Sequence, residues 1–208
     1  MSRATAEGLQ LGYCTGNGLR DHLHEQGFGK ERILRSGLLL DRGRRERFAG
    51  MVVVPEVLNG CPVWMTGRTV RENVKPRFNA LPGSKATLGI GTLPHSMKRL
   101  IVAEGVFDWL TLREWGLPSV ALAGNGNVER LIQQINGVQV GEVILALDAD
   151  DKGESLTKKL LGMDHEDGDE PRATLANASA MRLPGGYEDI GDMATVPDGR
   201  MRFMTALG

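Results

Sequence analysis

Residues 99–110 of this chain read RLIVAEGVFDWL, and residues 141–153 read GEVILALDADDKG. Each stretch is an apolar strand pattern that ends in acidic residues, Glu104 in the first and Asp148 with Asp150 in the second. If the two strands are parallel in one sheet, these carboxylates meet at its carboxyl edge, where open α/β sheets bind their ligands. Clustered carboxylates repel one another unless a divalent cation lies among them. The pattern therefore predicts metal-dependent chemistry on phosphates.

The sequence around these stretches alternates between strand and helix patterns. The predicted strands cover residues 100–103, 119–122 and 143–147, and the predicted helices cover residues 106–115, 128–135 and 153–161. Strands that alternate with helices of this length indicate a parallel, doubly wound sheet. A further strand is predicted over 178–183, followed by a short helical tail that begins at Ile190.

The first part of the chain has a different, mixed pattern. Helical spacing covers residues 19–26 and 31–36. The dipeptide Asn59-Gly60 lies between two apolar runs, 51–54 and 62–65, and this arrangement predicts a β-hairpin. Residues 74–93 are rich in Pro and Gly and are predicted to be irregular.

Charge is divided unevenly along the chain. Residues 1–100 carry 16 Lys and Arg against 8 Asp and Glu, whereas the remaining residues carry 9 against 18. A basic half beside an acidic half suits a nucleic-acid groove that adjoins a metal site. Segregation of charge onto two solvated surfaces is the alternative explanation.

The composition is that of a globular protein. The chain has 208 residues, enough for one compact domain or two subdomains, and no apolar run approaches the roughly 20 residues of a membrane helix. Its beginning, MSRATAEGLQ, lacks the apolar core of a secretory signal. The only cysteines, Cys14 and Cys61, are too few for a zinc finger and are predicted to be reduced thiols in a cytoplasmic protein.

The acidic residues resemble a known signature. Glu104-Gly105 with Asp108, followed by Asp148-Ala149-Asp150, resembles the Toprim motif of DnaG-type primases, type IA and II topoisomerases and some nucleases. The flanking sequence is similar to the basic subdomain that precedes Toprim in DnaG-type primases. That similarity rests, in order, on Arg47-Phe48, Met51–Pro55, Gly67-Arg68, Pro76–Phe78 and Leu81–Lys85.

This resemblance implies a fold and a domain arrangement. The fold class is α/β, with a Toprim-type parallel sheet flanked by helices and preceded by a mixed α+β basic subdomain. The implied domains are a basic primase subdomain over 1–97, a Toprim domain over 98–186 and a short helical tail over 187–208.

The resemblance also implies site residues and cofactors. The implied catalytic residues are Glu104, Asp148 and Asp150. The implied ligands of Mg²⁺ or Mn²⁺ are Glu104, Asp108, Asp148, Asp150 and, in a Gly-x-Asp-x-x-Asp element, Asp189 and Asp192. The residues implied to hold template or nucleotide are Arg47, Arg68, Arg77, Asn79, Lys85 and Lys152. No zinc site is expected in this chain.

Simpler structural roles are open for the acidic residues. Glu104 and Asp108 lie where an acid stabilises the start of a helix. Asp108 can equally support a metal site by contacting the metal ligands rather than the ion. Asp148 and Asp150 follow a strand, where Asp is common in turns. Asp189 can be the N-cap of the final helical segment.

The function implied by the resemblance is that of a DNA-directed RNA primase core. Such a core makes short RNA primers on a single-stranded DNA template from ribonucleoside triphosphates by metal-dependent nucleotidyl transfer. A separate zinc-binding module and a replicative helicase are the implied partners, as for a split primase of a phage or mobile element or a fragment of a longer primase. The alternatives are a Toprim-family metal-dependent nuclease and a non-catalytic nucleic-acid-binding primase-like subunit.

Overall fold

The computed structural model of this protein describes residues 1–83, 86–123, 128–164 and 174–208. The chain forms two compact units, an N-terminal unit over Ser2–Lys85 and a C-terminal unit over Ala86–Gly208. Residues that follow Ala86 belong to the C-terminal unit because the fully buried Leu88 exchanges two backbone hydrogen bonds with Ala121, of 2.9 and 3.0 Å. The predicted boundary after residue 97 lies further along the chain.

The N-terminal unit combines short helices with antiparallel strands. Its helices are α1 (Arg3–Gly8), α2 (Leu19–Glu25) and α3 (Lys30–Arg35). Its strands are β1 (Gly12–Cys14), β2 (Leu39–Leu40), β3 (Arg45–Glu46), β4 (Met51–Leu58), β5 (Cys61–Thr69) and β6 (Phe78–Ala80). One antiparallel sheet has the order β1-β4-β5-β6, and β2 pairs with β3 in a separate two-stranded ribbon.

The hairpin predicted at Asn59-Gly60 is confirmed and is longer than expected. Both turn residues have positive φ, 51° for Asn59 and 77° for Gly60. Positive φ at both central positions suits the tight turn that matches the twist of the flanking strands. The prediction that residues 74–93 are irregular is wrong at β6, a short edge strand that its own sequence does not reveal and that forms by pairing with β5.

The C-terminal unit contains the predicted parallel sheet. Its strands are β7 (Ser96–Ala103), β8 (Ser119–Ala121), β9 (Gln139–Leu145) and β10 (Ala178–Ala180). Its helices are α4 (Val106–Glu114), α5 (Val128–Asn136), α6 (Asp151–Leu161), α7 (Ile190–Met193) and α8 (Gly199–Leu207). All neighbouring strands are parallel, in the order β10-β9-β7-β8. The predicted α/β fold class, a parallel sheet flanked by helices, is confirmed.

The core of the C-terminal unit explains why its strands are apolar throughout. Leu100 and Val102 on β7 are fully buried with Val143 on β9, and helices α5 and α6 add Leu131 and Leu160. Strands that are covered on both faces need apolar residues at consecutive positions rather than alternate ones. Across the described ranges, none of the helices is both long and apolar enough to cross a membrane.

Candidate active site

Two adjacent strands bring the predicted acids to one edge of the parallel sheet. Strands β7 and β9 pair in parallel up to Val102 and Leu145. Glu104 follows directly after the end of β7, and Asp148 follows β9 after two further buried residues. Because parallel strands end on the same side, the two acids arrive at the carboxyl edge together.

Five carboxylates interact at this edge and form a group that we name the acid cluster. Its members are Glu104, Asp108, Asp148, Asp150 and Asp189. Asp148 interacts electrostatically with all four others, so it occupies the electrostatic centre of the group. The structure thus brings together all but one of the predicted acidic ligands.

Asp192 is the acidic residue that lies outside the cluster. Its side chain is exposed, and its backbone N–H donates a hydrogen bond of 2.6 Å to Asp189 Oδ1. The residue is therefore tied to the cluster through its backbone.

Hydrogen bonds to the backbone orient three of the carboxylates. Asp150 accepts the N–H of Gly153 at 2.8 Å and is the N-cap of α6. Asp189 is the N-cap of α7. Asp108 is only 7% exposed and accepts the N–H of Gly191 at 2.8 Å. For Asp150 and Asp189 the backbone bond engages Oδ1, so capping and cation binding are compatible roles for these two residues. Asp108 also accepts the backbone N–H groups of Gly105 and of Asp108 itself, which favours a positioning role for it.

Glu104 does not cap a helix. The N-cap of α4 is Gly105, and the Asp108 carboxylate accepts the backbone N–H of Gly105, so Asp108 rather than Glu104 caps that helix end. Glu104 Oε2 is buried and finds no hydrogen-bond partner among the described residues. A buried carboxylate oxygen without a partner is costly, and a bound cation would satisfy it.

Ionisation of the acid cluster is unfavourable, because its carboxylates are partly buried and repel one another. Burial, together with repulsion from the other four members of the cluster, raises the pKa of Asp148 to about 7. Burial also raises the pKa of Glu104 and of Asp108, again with repulsion from neighbouring carboxylates. Lys152, in the first turn of α6, lowers the pKa of Glu104 and is thus close to the cluster.

The donor set fits a hard divalent cation. All donors in the cluster are carboxylate oxygens, which Mg²⁺ and Mn²⁺ accept. Among the residues that the structure describes, no three Asp, Glu, His or Cys side chains are arranged to hold a single ion together. Mg²⁺ is commonly held by one or two carboxylates and completes its shell with water and substrate phosphates. The cluster therefore fits an ion held by few protein ligands.

A cavity of about 520 Å³ opens beside Asp148 and Asp150. Thr157 on α6 lines it, together with Arg182 and Tyr187 from the segment after β10. The cavity thus places a cationic and an aromatic side chain beside the acidic edge of the sheet. Neither residue was predicted as part of the site, because their position depends on the pairing of β10 with β9.

The predicted basic residues of the N-terminal unit fall into two groups. Arg47 and Asn79 form the first group and are bonded to each other. Arg47 Nη1 lies 3.4 Å from Asn79 Oδ1, and Asn79 Nδ2 donates to the backbone oxygen of Arg47 at 2.9 Å. Arg47 Nε also donates to the backbone oxygen of Gly37. These contacts hold β6 against the segment that precedes β4.

Arg68 and Arg77 form the second group and line a cavity of about 420 Å³. Arg71, which the sequence did not single out, lines the same cavity. Three arginines around one cavity suit a ligand with phosphate groups, because the guanidinium group binds phosphate oxygens in pairs. Lys85 lies outside the described residues.

A protein-family model matches part of the C-terminal unit. Residues 101–192 match the family model of the Toprim-like family. These residues span the strands and helices that carry the acid cluster. No curated protein sequence matches the chain.

Solved structures match the chain over its whole length. The RNA polymerase domain of Mycobacterium tuberculosis primase DnaG is 20% identical, covers 100% of this chain and 72% of its own, and superposes with a TM-score of 0.76. The chain has the fold of a DnaG-type primase catalytic core. A structure of the Aquifex aeolicus primase zinc-binding and RNA polymerase domains has 22% identity and a TM-score of 0.79, with coverage of 100% of this chain and 52% of that one. A DnaG catalytic domain bound to ssDNA has 22% identity, a TM-score of 0.74 and coverage of 99% and 69%.

The raised pKa of Asp148 predicts that the stability of the folded protein depends on pH. The folded protein holds this proton up to about pH 7, whereas the unfolded chain releases it near 3.8. The stabilising contribution is therefore complete below pH 3.8 and is lost as the pH rises to about 7. Relative to wild type, the Asp148→Asn variant should gain melting temperature steadily across this interval in metal-free buffer.

Thermal melts at several pH values, with EDTA and with Mg²⁺, check this prediction. Mg²⁺ favours the ionised carboxylate and should raise the melting temperature of wild type most at high pH. The Asp148→Asn variant should show little of this Mg²⁺ effect. Parallel pH curves for the two proteins would contradict the assignment of the raised pKa to Asp148.

Proposed function

We propose that this chain is the catalytic core of a DNA primase. It would join ribonucleoside triphosphates into short RNA primers on single-stranded DNA by metal-dependent nucleotidyl transfer. The observation that carries the proposal is the acid cluster, which lies at the carboxyl edge of a Toprim-type sheet in a chain that has the primase-core fold along its whole length.

Glu104, Asp148 and Asp150 are proposed as the residues that hold the divalent cations. A cation bound there would neutralise the triphosphate and lower the pKa of the attacking 3′-hydroxyl. Asp108 is proposed to position the site, because its carboxylate connects α4 to the backbone N–H of Gly191 in α7. Asp189 is proposed to add negative charge at the rim of the cluster.

Arg68, Arg77, Lys85 and Lys152 are proposed to contact phosphates of template or nucleotide. For Arg68 and Arg77, the shared cavity supports this role. For Lys152, its electrostatic effect on Glu104 supports it. Arg47 and Asn79 are proposed to act mainly by holding β6 in place, since their polar groups are engaged with each other.

A single-stranded DNA template is the proposed partner. One matched structure is a DnaG primase catalytic domain bound to ssDNA, which supports this choice. Another matched structure includes a zinc-binding domain beside the RNA polymerase domain. We propose that a zinc-binding module supplied by another chain or segment, and a replicative helicase, act with this core in the cytoplasm.

Primer synthesis in vitro tests the proposal. The purified chain is incubated with labelled ribonucleoside triphosphates, a single-stranded template and Mg²⁺ or Mn²⁺, alone and with a candidate zinc-binding module. Short labelled RNA should appear only when template and metal are both present, and EDTA should prevent it. Metal-dependent nicking of DNA or RNA without triphosphates would indicate a nuclease, and template binding without product would indicate a non-catalytic subunit.

A further inference from the structure

Four side chains form a row across the antiparallel sheet of the N-terminal unit. Tyr13 on β1 pairs with Val52 on β4, Val52 pairs with Arg68 on β5, and Arg68 pairs with Phe78 on β6. Directly paired residues on neighbouring strands project from the same face of a sheet. We name these four residues the aromatic row; it runs from one edge strand of the sheet to the other.

The two rings of the aromatic row are unusually accessible. Tyr13 is 52% exposed and Phe78 is 48% exposed. The guanidinium group of Arg68 lies 5.3 Å from the centre of the Phe78 ring, within the range of a cation–π contact. An exposed ring with a cation beside it is a surface on which a planar, negatively charged ligand can stack.

The cationic cavity adjoins this row through a shared residue. Arg68 belongs to the row and also lines the cavity with Arg71 and Arg77. Among the described residues of that lining, Glu72 is the single acidic one. Ring faces for bases and arginines for phosphates therefore lie next to each other, and the segment 2–85 as a whole carries 14 Lys and Arg against 8 Asp and Glu.

We propose that the aromatic row is a stacking surface for the bases of single-stranded DNA. The rings of Tyr13 and Phe78 lie on opposite edge strands, roughly 14 Å apart for three strand spacings. Two ring platforms at that separation serve successive parts of a polynucleotide better than one mononucleotide. The ligand named here rests on the proposed function, in which single-stranded DNA is the template, whereas the surface itself rests on the strand register and exposure.

Binding of a labelled short oligothymidylate tests the proposal. Fluorescence anisotropy is measured on the full chain in EDTA, so that the acid cluster does not contribute a metal contact. The variants Tyr13→Ala and Phe78→Ala should each weaken binding by about 5- to 100-fold, the range expected when alanine replaces an aromatic side chain that stacks on one base. The variant Tyr13→Phe retains the ring and should bind like wild type.

Matched controls separate stacking from general effects. Val63 on β5 is 50% exposed and lies outside the row, so Val63→Ala should leave binding unchanged. An abasic oligonucleotide of equal length should bind more weakly than oligothymidylate and should not distinguish Phe78→Ala from wild type. Arg71→Gln should weaken binding to both oligonucleotides and reduce the salt dependence by about one charge.

A second readout guards against a folding defect. In a Phe78→Trp variant, the new indole replaces an exposed ring, and oligothymidylate should quench its fluorescence on stacking. Unchanged fluorescence, together with wild-type binding by the two alanine variants, would overturn the stacking surface even if the protein makes primers. Ring-dependent binding by a protein that makes no primers would support the surface and overturn the proposed function.

Discussion

Asp148→Asn is expected to abolish primer synthesis, with a loss of about 10³-fold or more. Asp148 interacts with all other members of the acid cluster, and it lies beside the 520 Å³ cavity. The amide has nearly the same shape as the carboxylate but carries no charge, so a cation loses its central attraction while the packing is preserved. Labelled primer yield, measured over a range of Mg²⁺ and Mn²⁺ concentrations, gives the size of the loss.

The matched control for this substitution is Glu129→Gln. Glu129 is an exposed acid on α5 in the same unit, so the variant removes one negative charge without touching the site. It should retain wild-type primer synthesis. Circular dichroism and thermal melting should show that Asp148→Asn is folded and at least as stable as wild type in EDTA above pH 7. Substantial primer synthesis by Asp148→Asn would remove this carboxylate from the mechanism.

Gly153→Ala is expected to damage both the stability and the metal site. A Cβ atom at this buried position would lie 2.0 Å from the carbonyl oxygen of Asp148 and 3.0 Å from its carbonyl carbon. The clash is with backbone, so the turn between Asp148 and α6 must open to relieve it. Overpacking of this kind should lower the free energy of unfolding by about 3 kcal/mol, and it should displace Asp150, whose carboxylate caps α6 through the N–H of Gly153.

Urea unfolding and the Mg²⁺-induced rise in melting temperature check this second expectation. Gly8→Ala is the matched control, because Gly8 is also helical and its added Cβ would have no atom within 4 Å. That control should be neutral or more stable by up to about 1 kcal/mol. Wild-type stability and a full Mg²⁺ response in Gly153→Ala would show that the turn is looser than the structure indicates.

Local sequence accounts for much of the fold. The apolar runs before Glu104 and Asp148 predict parallel strands because strands buried on both faces need consecutive apolar residues. Asn59-Gly60 predicts its hairpin because both residues tolerate positive φ. The same pattern predicts where Glu104, Asp148 and Asp150 lie, because each of them follows closely after the end of a strand in the sequence.

Other features depend on contacts between residues far apart in sequence. Strand β6 has too short a sequence to be recognised and exists because it pairs with β5. The link between Asp108 and Gly191 joins two segments that their sequences do not relate. Arg71 gains its place beside Arg68 only when the loop after β5 is folded.

The sequence by itself determined the parallel α/β sheet, the acidic residues at its edge and the basic character of the first half. These properties follow from the pattern of apolar and charged residues within short segments, so the local sequence is sufficient to predict them. Only the tertiary structure decided which acids share one cluster, that Asp192 lies outside it, and that Tyr13 and Phe78 lie on one face of one sheet. Register and burial bring these groups together, and both arise from pairing between distant segments, which no local pattern specifies.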